Sequence, residues 1–141
     1  PPRSTLSSSS AASDVYKRQG VDIDPAMVEK ARTNLESYGI KNFKLSVGDA
    51  RRLSKGKFDA VVTDPPYGRQ ASTGRADLES LYEEVLPSIA SVLRRGGRVC
   101  ITSPAEIDIK DFAEGAGFIE AERYEQRVHR TLTRRIYVLR R

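Results

Sequence analysis

Apolar positions in this chain alternate between strand-like runs and helix-like spacing from Gly20 onward. Gly20-Val21-Asp22-Ile23 reads as the end of a buried strand. Asp24-Pro25 then starts a helix, with Asp24 as N-cap and Pro25 at the first helical position. Met27, Val28, Ala31, Leu35 and Tyr38 recur at helical intervals, and Gly39 ends the helix. Phe43–Val47 is a short strand running into Gly48-Asp49-Ala50, and the apolar run 58–63 is another, also read as buried. A second helix carries Leu78, Leu81, Tyr82, Val85, Ile89, Val92 and Leu93 on one face. Arg94 and Arg95 favour its C-terminal dipole and Gly96-Gly97 stops it. Pro87 inside that pattern costs about 3 kcal/mol in a straight helix, so a kink is expected there. Arg98–Thr102 is a strand, and Ile109, Phe112, Ala113 and Ala116 form a short helix ending at Gly117. The final strands, 118–127 and 134–140, have no helical spacer between them and are expected to pair antiparallel. Strands alternating with amphipathic helices predict an α/β domain whose sheet is mostly parallel.

The pattern does not extend to the amino end. Residues 1–19 lack periodicity and are expected to be disordered. The string Ser9-Ser10-Ala11-Ala12-Ser13-Asp14-Val15-Tyr16-Lys17-Arg18-Gln19 resembles translated adaptor sequence, so this stretch is set aside as foreign to the domain. The remaining residues, 20–141, suit one domain. The single cysteine excludes an intrachain disulfide, and the cytoplasm is the expected compartment. Cys100 and His129 stand alone, so no metal site is expected. No apolar run approaches the roughly 20 residues that span a bilayer, and no membrane partner is expected.

Charge is unevenly placed. Residues 123–141 hold seven arginines against one acid, Glu125, whereas residues 20–122 are slightly acidic. A basic end on a near-neutral body points to a nucleic-acid partner, with a solvated edge as the alternative.

The chemistry concentrates at Asp64-Pro65-Pro66-Tyr67-Gly68, at the end of the 58–63 strand. Both prolines have φ locked near −65°, so the Pro65 carbonyl is held in one direction. A carboxylate and a fixed carbonyl are two acceptors, enough for both hydrogens of an exocyclic amino group, and Tyr67 can stack on the ring that bears it. Three strands end in an acid: Asp22, Asp49 and Asp64. In parallel sheets ligands bind at the carboxyl ends of the strands, so all three are expected to face one crevice. There Asp22 can accept ribose hydroxyls and Asp49 an adenine amino group. The Ala50 backbone can read the next ring edge, and Ile23 can cover the ring face. Asp24 needs no ligand, because capping explains it.

These stretches together resemble the class I S-adenosylmethionine-dependent methyltransferases, whose sheet is Rossmann-like. The likeness is carried by Gly20–Pro25, Gly48-Asp49-Ala50, Asp64–Arg69 and the tail Val128-His129-Arg130-Thr131-Leu132-Thr133-Arg134-Arg135-Ile136-Tyr137-Val138-Leu139. Asp-Pro-Pro-Tyr alone marks methylation of an exocyclic or amide nitrogen. Joined to Gly68-Arg69 and this tail, it is most similar to the archaeal tRNA guanine-N2 methyltransferases that act on guanosine 10.

The resemblance implies S-adenosylmethionine as cofactor, held by Asp22, Ile23, Asp49, Ala50 and Asp64. It implies tRNA as substrate, with Asp64, Pro65, Pro66 and Tyr67 at the reacting base. Gly68, Arg69, Arg75, Arg130, Arg134 and Arg135 are candidate RNA contacts. His129, Thr131 and Thr133 complete a tip near that base. The family's first strand and Gly-rich loop, and its RNA-binding THUMP domain, have no counterpart in residues 20–141. The expectation is a fragment truncated at its N-terminus that folds marginally and binds cofactor poorly by itself. DNA adenine-N6 or protein glutamine methylation, and a non-catalytic RNA-binding module, are the alternatives.

Overall fold

The computed structural model describes residues 18–54, 56–66 and 74–141 and forms two compact units, one running through Asp49 and the other from Ala50 to Arg141. In the first unit, β1 (Gln19–Asp22) and β2 (Lys44–Val47) pair in parallel, joined by α1 (Pro25–Ser37). The Asp24 side chain caps α1 by accepting from the Ala26 amide at 2.8 Å, with Pro25 at the first turn as expected. At the other end Gly39 takes φ 71°, where the Ile40 amide reaches the Leu35 carbonyl at 2.9 Å. Of the expected apolar stripe only Val28 is buried. The strand read as buried at Gly20–Ile23 is instead largely exposed, with Val21, Asp22 and Ile23 all open to solvent.

In the second unit four strands lie in the order β3 (Phe58–Thr63), β4 (Leu93–Pro104), β6 (Leu132–Arg140), β5 (Ile119–His129). β3 and β4 are parallel, while β6 runs antiparallel to both β4 and β5. The expected antiparallel C-terminal pair is therefore present. Side chains alternate across a strand, so Val99 and Ile101 of β4 share a face with Tyr137 and Leu139 of β6. That face packs against α2 (Arg75–Val92) and α3 (Lys110–Gly115) through Tyr82, Val85, Leu86, Ile89, Ile109 and Ala113. Among the described residues, no helix of this unit packs on the opposite face. Val62 on β3 is 81% exposed there, so β3 is half-covered rather than buried.

The α2–β4 junction departs from the pattern reading. α2 runs uninterrupted through Pro87, whose side chain is exposed, and stops at Val92. Leu93 is extended, with ψ 137°, and fully buried; its place in the core ends the helix before the glycines are reached. Arg94 and Arg95 thus belong to β4, and Arg94 Nε meets Asp59 Oδ1 at 2.8 Å. Gly96-Gly97 absorbs a bulge instead: Phe58 pairs with Leu93 but Ala60 with Arg98. A Cβ on Gly97 would lie 2.8 Å from the Arg94 carbonyl oxygen.

Candidate active site

β3 ends at Thr63, and Asp64-Pro65-Pro66 follows directly, with Pro65 buried and Asp64 and Pro66 exposed. Thr63 is paired with Ile101, which sets Asp64 beside Thr102 on the face opposite α2. The Thr102 hydroxyl donates to Asp64 Oδ1. Arg134 Nη1 lies 3.3 Å from Asp64 Oδ2, and its Nε donates to Gln126 Oε1 at 2.8 Å. Each of the four strands, or its immediate extension, therefore supplies one residue to a continuous polar row. From α2, the Tyr82 hydroxyl donates to the Thr102 carbonyl at 2.9 Å and ties β4 down beneath that row.

The hairpin between β5 and β6 lies at the same end of the sheet. Pro104 at the end of β4 pairs with Arg134, and residues 127–133 extend beyond that pairing. Arg127 and Arg130 are exposed on this extension, and no ion pair engages either among the described residues. The Thr131 amide donates to His129 Nδ1 at 3.4 Å, closing the turn.

Arg134 and Arg135 were expected to act together on RNA, but strand alternation sends them to opposite faces. Arg135 Nε donates to Glu125 Oε1 at 3.0 Å, and that bond raises its pKa; its Nη1 is 3.8 Å from Asp108 Oδ2. Arg75 opens α2 and pairs with Glu79 at 2.8 Å. Tyr67, Gly68 and Arg69 lie outside the described residues.

In the first unit, Asp22 ends β1 in register with Val47, and Asp49 follows two residues beyond Val47, past the same end of the strand pair. Asp22 Oδ1 accepts from the Asp24 amide at 2.8 Å, and the Gly48 amide donates to the Asp22 carbonyl at 2.9 Å. Ile23 is 67% exposed. An exposed carboxylate, a second acid one strand over and a bare aliphatic side chain suit the diol, amino group and ring of a nucleoside. Ala50, in the other unit, starts a 3₁₀ turn and packs against that unit's core.

Thr102 and Gln126 were not foreseen, since no motif marks them and only strand register brings them to Asp64 and Arg134. Nor was the cluster on the helix-bearing face. There Arg123 sits 5.1 Å over the Tyr137 ring and reaches Asp108 at 3.3 Å and Glu120 at 2.7 Å. Burial pushes the Asp108 carboxyl up. The Lys110 amide, both guanidiniums and the Tyr137 hydroxyl outweigh it and hold the group below the usual carboxylate value. A lowered folded pKa adds stability that is complete above the unfolded value and vanishes as pH falls through the folded one. Urea unfolding should therefore show Asp108→Asn less stable at pH 7, by under about 1 kcal/mol for a half-exposed pair, with the gap closing below about pH 4. A gap that persists at pH 2 would show that charge is not its source.

Comparison with known proteins accords with this geometry. The family model "UPF0020: RMKL-like, methyltransferase domain" matches residues 4–136. Over 124 residues the chain is 47% identical to the tRNA (guanine(10)-N2)-dimethyltransferase of Methanothermobacter thermautotrophicus, covering 86% of this chain and 36% of that protein. It is 43% identical over 127 residues to the protein of the same name from Pyrococcus abyssi, covering 87% of this chain and 38% of that one. The chain thus spans little more than a third of the length of these two relatives. Among solved structures, TrmN from Thermus thermophilus matches with a TM-score of 0.69 at 22% identity, over 86% of this chain and 35% of that one. The α/β fold is methyltransferase-like, and the chain belongs to the UPF0020 family of RMKL-like methyltransferase domains.

Proposed function

We propose that the full-length protein transfers a methyl group from S-adenosylmethionine to the exocyclic N2 of a guanine in tRNA, guanosine 10. The observation that carries this reading is Asp64 fixed beside two prolines at the end of β3, in a chain 47% identical to a tRNA (guanine(10)-N2)-dimethyltransferase. Asp22 and Asp49 hold the ribose and adenine of the cofactor, with Ile23 against the ring. When bound, the cofactor supplies an electrophilic methyl group.

The chain's own work is to prepare the nitrogen. The guanine N2 lone pair is delocalised into the ring, which makes it a poor nucleophile. Asp64 and the Pro65 carbonyl accept the amino hydrogens, localise that lone pair and aim it; this is positioning and electrostatics. Asp64 then takes the proton that the alkylated nitrogen sheds. Tyr67 stacks on the extruded base, offsetting part of the few kcal/mol that unstacking costs.

Arg127 and Arg130, exposed on the hairpin tip, are cations that tRNA phosphates can reach, and a THUMP domain elsewhere in the full-length protein binds the rest of the tRNA. β3 is an edge strand of its four-stranded sheet, which leaves one side of it open to pairing with a further strand. The cytoplasm is the proposed compartment.

Mass spectrometry of nucleosides from unmodified tRNA, incubated with the full-length protein and S-adenosylmethionine, tests the proposal. N2-methylated guanosine mapped to position 10 is expected. Unmodified tRNA beside N6-methyladenine in DNA or methylated glutamine in protein would overturn it.

A further inference from the structure

We propose that Thr102 and Arg134 are positioning residues that hold the Asp64 carboxylate in its acceptor geometry, and that Arg134 is therefore not a phosphate ligand. The inference rests on the reading of Asp64 as amino-group acceptor and adds how that acceptor is held in place.

Asp64 follows the end of its strand with its side chain 55% exposed, a setting in which a lone carboxylate turns freely about its two side-chain torsions. Two donors from other strands prevent this. The Thr102 hydroxyl donates to Oδ1, from a residue only 8% exposed. Arg134 Nη1 approaches Oδ2 at 3.3 Å. Arg134 is itself fixed, because Nε donates to Gln126 Oε1 at 2.8 Å and Gln126 is the direct cross-strand partner of Arg134. A guanidinium is planar, so anchoring Nε on one strand and Nη1 on another fixes the whole fork. An ionised carboxylate offers about four lone-pair directions. A fixed donor on each oxygen sets the plane and tilt of the carboxylate before substrate arrives, so its acceptor geometry is imposed by the sheet.

Without rearrangement, a phosphate could take only the N–H groups that Asp64 and Gln126 leave open on Arg134, whose side chain is 27% exposed. Arg130, exposed on the hairpin tip of the same strand pair, needs no such rearrangement.

The test uses the full-length protein. It measures kcat at saturating tRNA, tRNA Kd at several salt concentrations, and melting temperature. Arg134→Gln and Thr102→Val are each expected to lower kcat about 10- to 100-fold, the scale of a small misplacement of a reacting group, with Kd and its salt slope unchanged. Thr102→Ser, which keeps the hydroxyl, should recover most of the loss. Arg134→Lys should recover only part, since an ammonium supplies charge without the fork. Arg130→Ala should instead weaken tRNA binding and reduce the salt slope by about one.

Wild-type kcat in Arg134→Gln, with a weaker Kd and a shallower salt slope, overturns the proposal and makes Arg134 a phosphate ligand. Equal losses in Thr102→Val and Thr102→Ser, together with lowered melting temperatures, overturn it in favour of a purely structural role. Asp64→Ala serves as the reference. Turnover surviving there removes the underlying reading, whereas a dead Asp64→Ala beside an unaffected Arg134→Gln removes this inference alone.

Discussion

Asp64→Ala in the full-length protein is expected to lower methyl transfer to tRNA by at least about 10²–10³-fold, the loss typical of deleting one preorganised electrostatic group from a reacting centre. The fold should survive. Asp64 lies just beyond β3 with an exposed side chain, so the substitution opens no cavity. Arg134 keeps its bond to Gln126, and losing the Thr102 hydrogen bond and the partly exposed Arg134 ion pair costs about 1–2 kcal/mol. Affinity for tRNA should change little, because the loss falls on the aiming of one nitrogen rather than on the phosphates. Asp64→Asn is the more discriminating variant. It preserves shape but replaces one acceptor oxygen with an NH2 donor, which faces the Arg134 fork or the substrate amino group with the wrong polarity. Both variants should lose kcat with tRNA Kd within a few-fold of wild type. Turnover near wild type in Asp64→Ala would remove this carboxylate from the chemistry.

The sequence made visible those features whose cause is local. Asp24, Pro25 and Gly39 bracket α1 because capping and left-handed closure are settled within a few residues. The β3 run 58–63 matches its strand, since Phe58 and the β-branched Val61, Val62 and Thr63 favour extension and Asp64-Pro65 ends it. The motif at Asp64 was legible for the same reason. Features set by tertiary partners were not. Leu93 looks like the last residue of an amphipathic helix, yet its burial against β3 makes it the first of β4 and carries Arg94 and Arg95 with it. Thr102 is 38 residues from Asp64, and only parallel pairing with β3 brings its hydroxyl there. Arg134 and Arg135 read as one basic patch in sequence, but period-two alternation gives one to the Asp64 row and the other to Glu125 and Asp108.

The largest stability effect is expected at Tyr82. Its ring is fully buried on α2, in the cluster formed with Leu86, Ile101 and Tyr137 against the β4–β6 face. Tyr82→Ala removes that ring and leaves a void that close-packed neighbours only partly refill, which should destabilise the protein by about 3–5 kcal/mol. Tyr82→Phe separates the two contributions. It keeps the packing and deletes only the hydroxyl bonded to the Thr102 carbonyl, so about 1 kcal/mol is expected. The second variant also links the core to the site. The hydroxyl secures β4 where Thr102 reaches Asp64, so Tyr82→Phe should lower kcat modestly while melting close to wild type. Urea unfolding of both variants beside wild type gives the two energies. A Tyr82→Ala loss no larger than that of Tyr82→Phe would mean that the ring contributes nothing beyond its hydroxyl, contrary to its place at the centre of the α2–sheet core.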